Sequence, residues 1–144
     1  MVHMARAPFQ CLIIPFMIED DVPKFAIFKR ADMGIWQFIS GGGEDDETPL
    51  EAAKRECFEE ANIPFNTVFY ELDSISTIPA EIYSKEYRKS WGKYCFVIKE
   101  HKFAFQLTWV AYDEAIPLLK YDSNRTALTE LRARIMERYF VEAR

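Results

Sequence analysis

The chain has 144 residues, of which 49% are hydrophobic, and its formal net charge is -5. That length suits one domain of ordinary size, and the hydrophobic share is too high for a disordered chain. The acidic balance excludes a global basic field for a nucleic acid polymer, so a polyanionic substrate would need local cations or a metal ion.

In chain order, Phe9–Ile18 is an apolar run interrupted by Pro15, and it predicts a buried strand. Val22-Pro23 marks a turn, and Lys24–Lys29 predicts the returning strand. Ile35–Ile39 predicts a short strand that delivers the chain to Gly41-Gly42-Gly43. Three glycines in a row leave the backbone open to positive φ and to close approach by a ligand. Thr48-Pro49-Leu50-Glu51 then has the pattern of a capping box, with Pro49 at the first helical position. The helix is expected to run from Pro49 to Ala61, where Asn62 takes the left-handed terminus and Pro64 forbids continuation.

Phe65–Ile78 and Trp91–Lys99 are rich in strand formers, and Phe103–Ala111 predicts one more strand. Tyr112–Leu119 reads as a short helix capped by Asp113. From Asp122 onward Leu128, Leu131, Ile135 and Tyr139 recur at helical spacing and predict one apolar face. The fold class expected from this order is α+β, one domain with helices on both sides of a mixed sheet. Cys11, Cys57 and Cys95 are odd in number and scattered, against a disulfide framework or a structural zinc site. No apolar run reaches the ~18–20 residues that cross a bilayer, and the start lacks a signal-peptide pattern. No membrane partner and a cytoplasmic location are the expectation.

The stretch Gly41–Ile63 packs Glu44, Asp45, Asp46, Glu47, Glu51, Glu56, Glu59 and Glu60 together. At roughly 100° per residue, Glu60 lies ~40° and Glu59 ~60° from Glu56, on opposite sides of it. The three carboxylates share a stripe with Ala52, while Leu50, Ala53, Cys57 and Ala61 form the arc expected to pack inward. Like charges at this spacing destabilise a helix by a few tenths of a kcal/mol per pair. Such a stripe is either a solvated face or a site for a hard cation, which takes oxygen ligands and shares phosphate oxygens with a substrate.

The full spacing resembles the signature of the Nudix hydrolases. Gly41 is followed six residues later by Glu47, then by Arg55-Glu56-Cys57-Phe58-Glu59-Glu60 and Asn62-Ile63. Each position matches except Asn62, where the family has glycine. The resemblance implies an α/β/α sandwich and Mg²⁺- or Mn²⁺-dependent hydrolysis of a pyrophosphate bond in a nucleoside diphosphate linked to another group. It implies Glu56, Glu59, Glu60 and the Ser40 carbonyl as metal ligands. Glu56 or a metal-held hydroxide would help activate the attacking water, with Glu47 and Arg55 as supporting residues.

Trp36–Gly41 and Asp122–Leu128 resemble the subgroup acting on nucleoside triphosphates and dihydroneopterin triphosphate. Arg30, Trp36, Gly41 and Gly42 are the candidate substrate contacts, with Lys29 as an alternative cation; the other reading makes Lys29 and Arg30 a solvated strand end and Trp36 a core residue. Tyr83, Tyr87 and Trp91 either line a base pocket or pack in the core. An ADP-ribose-type pyrophosphatase, suggested by Pro79, and a nucleotide sensor without catalysis stay open, as does a homodimer. The family's late acidic segment has no clear counterpart. Gln106-Leu107-Thr108 precedes Trp109 where it is expected, and Glu100-His101 is the nearest acidic alternative, read as a strand end.

Overall fold

The computed structural model describes residues 6–30, 32–89, 91, 97–106 and 110–143. Its organising element is β1 (Arg6–Glu19), a strand of 14 residues. On one edge β1 pairs first with β5 (Ile39–Glu44) and then with β2 (Val22–Phe25), both antiparallel. On the other edge it pairs in parallel with β8 (Val97–Gln106). Pro15 falls between the β5 and β2 ladders, and its carbonyl accepts from Ala26 N at 3.0 Å. β6 (Tyr70–Glu71) and β7 (Ser76–Pro79) pair antiparallel with β8, and β9 (Val110–Ala111) pairs with β2. Among the described residues these seven strands form one mixed sheet, and β3 (Phe28–Lys29) with β4 (Trp36–Gln37) forms a second, two-stranded one.

Alternation along β1 decides the two layers. Cys11 and Ile13 point to one face, where they meet Ile39, Phe69, Phe103 and the buried Ala52, Ala53 and Cys57 of α1 (Pro49–Ala61). Leu12, Ile14 and Phe16 point to the other, against Ala127, Leu128, Leu131 and Ile135 of α4 (Asp122–Glu137). The result is the α+β sandwich expected from the sequence. Two short helices, α2 (Lys85–Arg88) and α3 (Tyr112–Ala115), complete the order. Among the described residues no helix is long and apolar enough to cross a membrane.

The caps of α1 form as read. Thr48 Oγ1 accepts from Glu51 N at 3.2 Å, and the Glu51 carboxylate accepts from Thr48 N at 2.9 Å. Asn62 sits at φ 55°, the left-handed terminus. At the start of α4, the buried Asn124 Oδ1 accepts from Phe38 N at 3.0 Å. That bond satisfies the backbone between β4 and β5 and ties α4 to the strand that carries the glycines.

Several expectations are corrected. The glycine triplet lies inside β5, and among the described residues the positive φ found in a glycine belongs to Gly34. Lys24–Lys29 breaks into β2 and β3, with Ala26 and Ile27 between them. Glu100-His101-Lys102 is not a strand end. It runs through the middle of β8, because pairing with β1 carries the polar residues across a break in the apolar pattern. Residues 92–96 of the expected Trp91–Lys99 strand lie outside the described residues. Asp113 is in the first turn of α3, not at its cap. Tyr139 leaves the α4 face, because Arg138 turns left-handed at φ 56° and ends the helix, leaving Tyr139 60% exposed. Ala52 is buried, so the inward arc of α1 reaches the flank of the acidic stripe.

Leu128 is fully buried between α4 and the sheet. Leu128→Ala should lower unfolding stability by about 2–5 kcal/mol, read from the shift of the urea midpoint at unchanged slope.

Candidate active site

The site is assembled where α1 crosses β5. The glycines permit this contact by their lack of side chains. A Cβ on Gly41 would overlap the Glu56 carboxylate, one on Gly42 the Arg6 guanidinium, and one on Gly43 the Phe9 ring. The close approach expected at these glycines is thus made by the protein's own side chains. Gly41 and Gly42 also line a cleft, so the approach of a ligand remains open there.

Arg55 sits at the centre, with its side chain only 16% exposed. Its Nε donates to Glu47 Oε2 at 2.8 Å and its Nη2 to Glu47 Oε1 at 3.0 Å, a bidentate pair. Nη2 also donates to the Gly42 carbonyl at 2.8 Å. Nη1 donates to Glu56 Oε1 at 3.0 Å and to Glu59 Oε2 at 3.3 Å, and lies 3.4 Å from Glu44 Oε1. Glu47 in turn accepts from Glu44 N at 2.8 Å, closing the turn before α1. Hydrogen bonding to Glu47 and the surrounding carboxylates hold the guanidinium well above its usual range, so it stays charged. Lys54 points away, with its ammonium 6.0 Å from the Phe69 ring centre, so it does not relieve the stripe.

The carboxylates differ. Glu56 is nearly covered, its side chain 14% exposed, while Glu59 is 55% exposed. Burial raises the Glu56 carboxyl against the opposing pull of Arg55. Glu60 has solvent on its outer side, yet the protein crowding its carboxyl, and then the charge of Glu56, push it up to about 7. Arg30 offsets this only in part, since its Nε and Nη2 are engaged by Asp32 at 3.1 and 2.7 Å. Among the described residues no three His, Cys, Asp or Glu side chains are gathered around a common point as metal ligands. Glu56 and Glu59 instead share Nη1 of Arg55. The donor set still fits a hard divalent cation: it is all oxygen, and its negative charge is incompletely neutralised.

Glu60 borders a cleft of about 730 Å³ that also holds Lys29, Arg30, Ser40, Gly41 and Gly42. Ser40 Oγ accepts from Gln10 Nε2 at 3.0 Å. Trp36 does not line this cleft. It pairs with Lys29 and its carbonyl accepts from Lys120 N at 3.4 Å, so its place is between strand and loop. Tyr83 and Tyr87 do line the cleft, whereas Trp91 packs edge-on against Tyr83. Arg6, Gln10 and Phe28 are cleft residues that sequence reasoning passed over. The signal for two of them was there: Arg6 and Gln10 are the polar positions that precede the apolar run of β1. Residues 107–109 of the expected late segment lie outside the described residues. Glu100 is 6% exposed beside Lys102, hydrogen-bonded to Ser123, with Oε1 unpartnered.

Comparison with known proteins places the family and the fold. The NUDIX domain family profile matches residues 17–131. A solved NUDIX hydrolase structure from Listeria monocytogenes is 38% identical, covering 94% of this chain and 99% of its own, with a TM-score of 0.84. The Escherichia coli dihydroneopterin triphosphate pyrophosphohydrolase is 20% identical (TM-score 0.66, covering 88% and 95%), and shares the fold. A Caenorhabditis elegans Ap4A hydrolase is 16% identical (TM-score 0.65, covering 88% and 97%), and does so too. No curated protein sequence matches. The family match makes the class that of a pyrophosphohydrolase. The chain belongs to the NUDIX family.

Arg55→Met leaves the half-buried Glu47 and Glu56 without their cation, and should cost about 3 kcal/mol in urea unfolding. A second expectation concerns pH. The Glu60 carboxyl binds its proton more tightly folded, at about 7, than at its ordinary 4.5. Its contribution to stability is therefore fully present below its ordinary pKa and is lost as pH rises through about 7. Melting of the metal-free protein between roughly pH 5 and 8 should fall less steeply in Glu60→Gln than in wild type.

Proposed function

We propose that the protein hydrolyses the pyrophosphate bond of a nucleoside triphosphate, or of another nucleoside diphosphate linked to a second group, with Mg²⁺ or Mn²⁺. The observation that carries this is the Glu56, Glu59 and Glu60 stripe, tied by Arg55 to β5 at the border of a cleft that also holds Lys29 and Arg30. An acidic stripe cannot receive a polyphosphate directly. It can do so through a cation, and Glu56, Glu59, Glu60 and the Ser40 carbonyl are the residues that would hold one. When bound, such an ion neutralises phosphate charge and makes water more acidic.

The protein's own groups do the rest. Glu56, made more basic by burial, accepts a proton from the attacking water. Arg55 and Glu47 keep Glu56 against Gly41 and so fix its direction. Arg30, with Lys29 beside it, takes phosphate charge at the Glu60 end of the cleft. Water adds to one phosphorus, the bridging P–O bond breaks, and a monophosphate and pyrophosphate, or the second phosphorylated group, leave. The E. coli and C. elegans relatives are named for substrates of this kind, and the NUDIX domain of a Shewanella oneidensis relative is seen with ADP ribose. Pro79 ends β7 and does not line the cleft.

A panel of nucleotides and nucleotide sugars with Mg²⁺, followed by phosphate-product analysis, tests the reading. Glu56→Gln and Glu59→Gln should lose kcat by about two orders of magnitude or more while melting like wild type. A wild type that binds a nucleotide tightly but turns over none would establish a sensor in place of the enzyme.

A further inference from the structure

Arg6, at the start of β1, is held at both ends yet left chemically open. Trp91 Nε1 donates to its backbone carbonyl at 2.7 Å. Its own Nη2 donates to Gln10 Oε1 at 2.7 Å. The Tyr83 ring lies under the guanidinium, 5.0 Å from Cζ to the ring centre, and Trp91 braces that ring edge-on at 5.6 Å. The absence of a side chain at Gly42 gives the guanidinium its seat. Even so, Nε is buried without a hydrogen-bond partner, and no ion pair among the described residues includes Arg6.

The polar groups beside Arg6 are engaged with one another. Gln10 Oε1 is taken by Arg6 and by the Tyr83 hydroxyl at 3.5 Å, and Gln10 Nε2 is spent on Ser40 Oγ. Arg6, Gln10, Phe28, Tyr83 and Tyr87 all line the cleft. A volume of about 730 Å³ is in the range of small-molecule sites, and the aromatic walls suit a flat ring.

Two ligand parts could meet a guanidinium here, a phosphate or the acceptor edge of a heterocycle. The strand decides between them. Gly41 backs onto Glu56 and Gly42 backs onto Arg6, and successive strand residues face opposite ways. Arg6 therefore lies on the face of β5 away from the reacting carboxylates, while Arg30 acts on Glu60 at the other end.

We propose that Arg6, oriented by Gln10 and Tyr83, is a specificity residue that reads two neighbouring acceptors on a purine ring, so that the protein selects guanine over adenine nucleotides. This rests on the nucleotide reading of the cleft above. Guanine offers O6 and N7 together to the guanidinium fork, whereas adenine puts an amino donor beside N7.

The test compares GTP with ATP in steady-state hydrolysis with Mg²⁺, and GMP with AMP in metal-free calorimetric binding. Wild type should favour guanine by roughly tenfold or more in both. In Arg6→Gln the preference should vanish, mainly through a higher KM for GTP and weaker GMP binding. Gln10→Leu, which leaves the guanidinium unoriented, should reduce the preference in the same direction and serves if Arg6→Gln does not fold. Equal affinity of wild type for GMP and AMP would overturn the proposal. So would an Arg6→Gln protein that loses guanine and adenine nucleotides alike, the mark of a phosphate contact. If neither triphosphate is hydrolysed but GMP still binds selectively through Arg6, the hydrolytic reading fails and this one stands.

Discussion

The site depends on one guanidinium. Arg55 binds Glu47 with two N–H groups, the Gly42 carbonyl with another, and Glu56 and Glu59 with its remaining terminus. These contacts join the end of β5, the turn before α1 and the second half of α1 in one rigid unit. Without a cation there, Glu44, Glu47, Glu56 and Glu59 would repel one another in a partly buried space where charge is poorly screened. Arginine suits the place better than lysine, because its planar fork serves several acceptors at once.

That cation is placed off the stripe's outer end. It neutralises the inner carboxylates and leaves Glu60 with the least relief, crowded by protein and by Glu56. The remaining negative charge borders a cleft containing Lys29 and Arg30. Such a pairing of signs suits an ion and a polyphosphate taken together. It would be a poor arrangement for either one alone.

The cleft has two chemically distinct ends, separated by β5. One face of the strand meets the carboxylates through Gly41. The other meets Arg6, Gln10 and Tyr83 through Gly42. Relatives at 20% identity or less share the backbone frame, and that frame fixes where the acidic helix must lie. What fills the far end of the cleft is the business of individual side chains, and these give this chain its own character.

Much of the fold was legible because its causes are local. The helix start at Thr48 and Glu51 needs only neighbouring residues to form its bonds. Asn62 ends the helix through its own tolerance of the left-handed region. The acidic stripe follows from helical spacing, and the NUDIX likeness from the same residues. The three glycines take no positive φ, and what they permit is close contact with Glu56, Arg6 and Phe9, each of which comes from another part of the chain. The strand through Glu100-His101-Lys102 was cut in two by polarity, although pairing with β1 keeps it whole. Trp36, a candidate substrate contact, is a β4 residue that does not itself line the cleft, whereas Arg6 does and carries no motif. By itself the sequence determined the capped helix, its acidic stripe and the family. Only the tertiary structure decided which side chains converge on the cleft and where Arg55 places its charge, because those contacts join residues far apart in the chain and no local spacing encodes them.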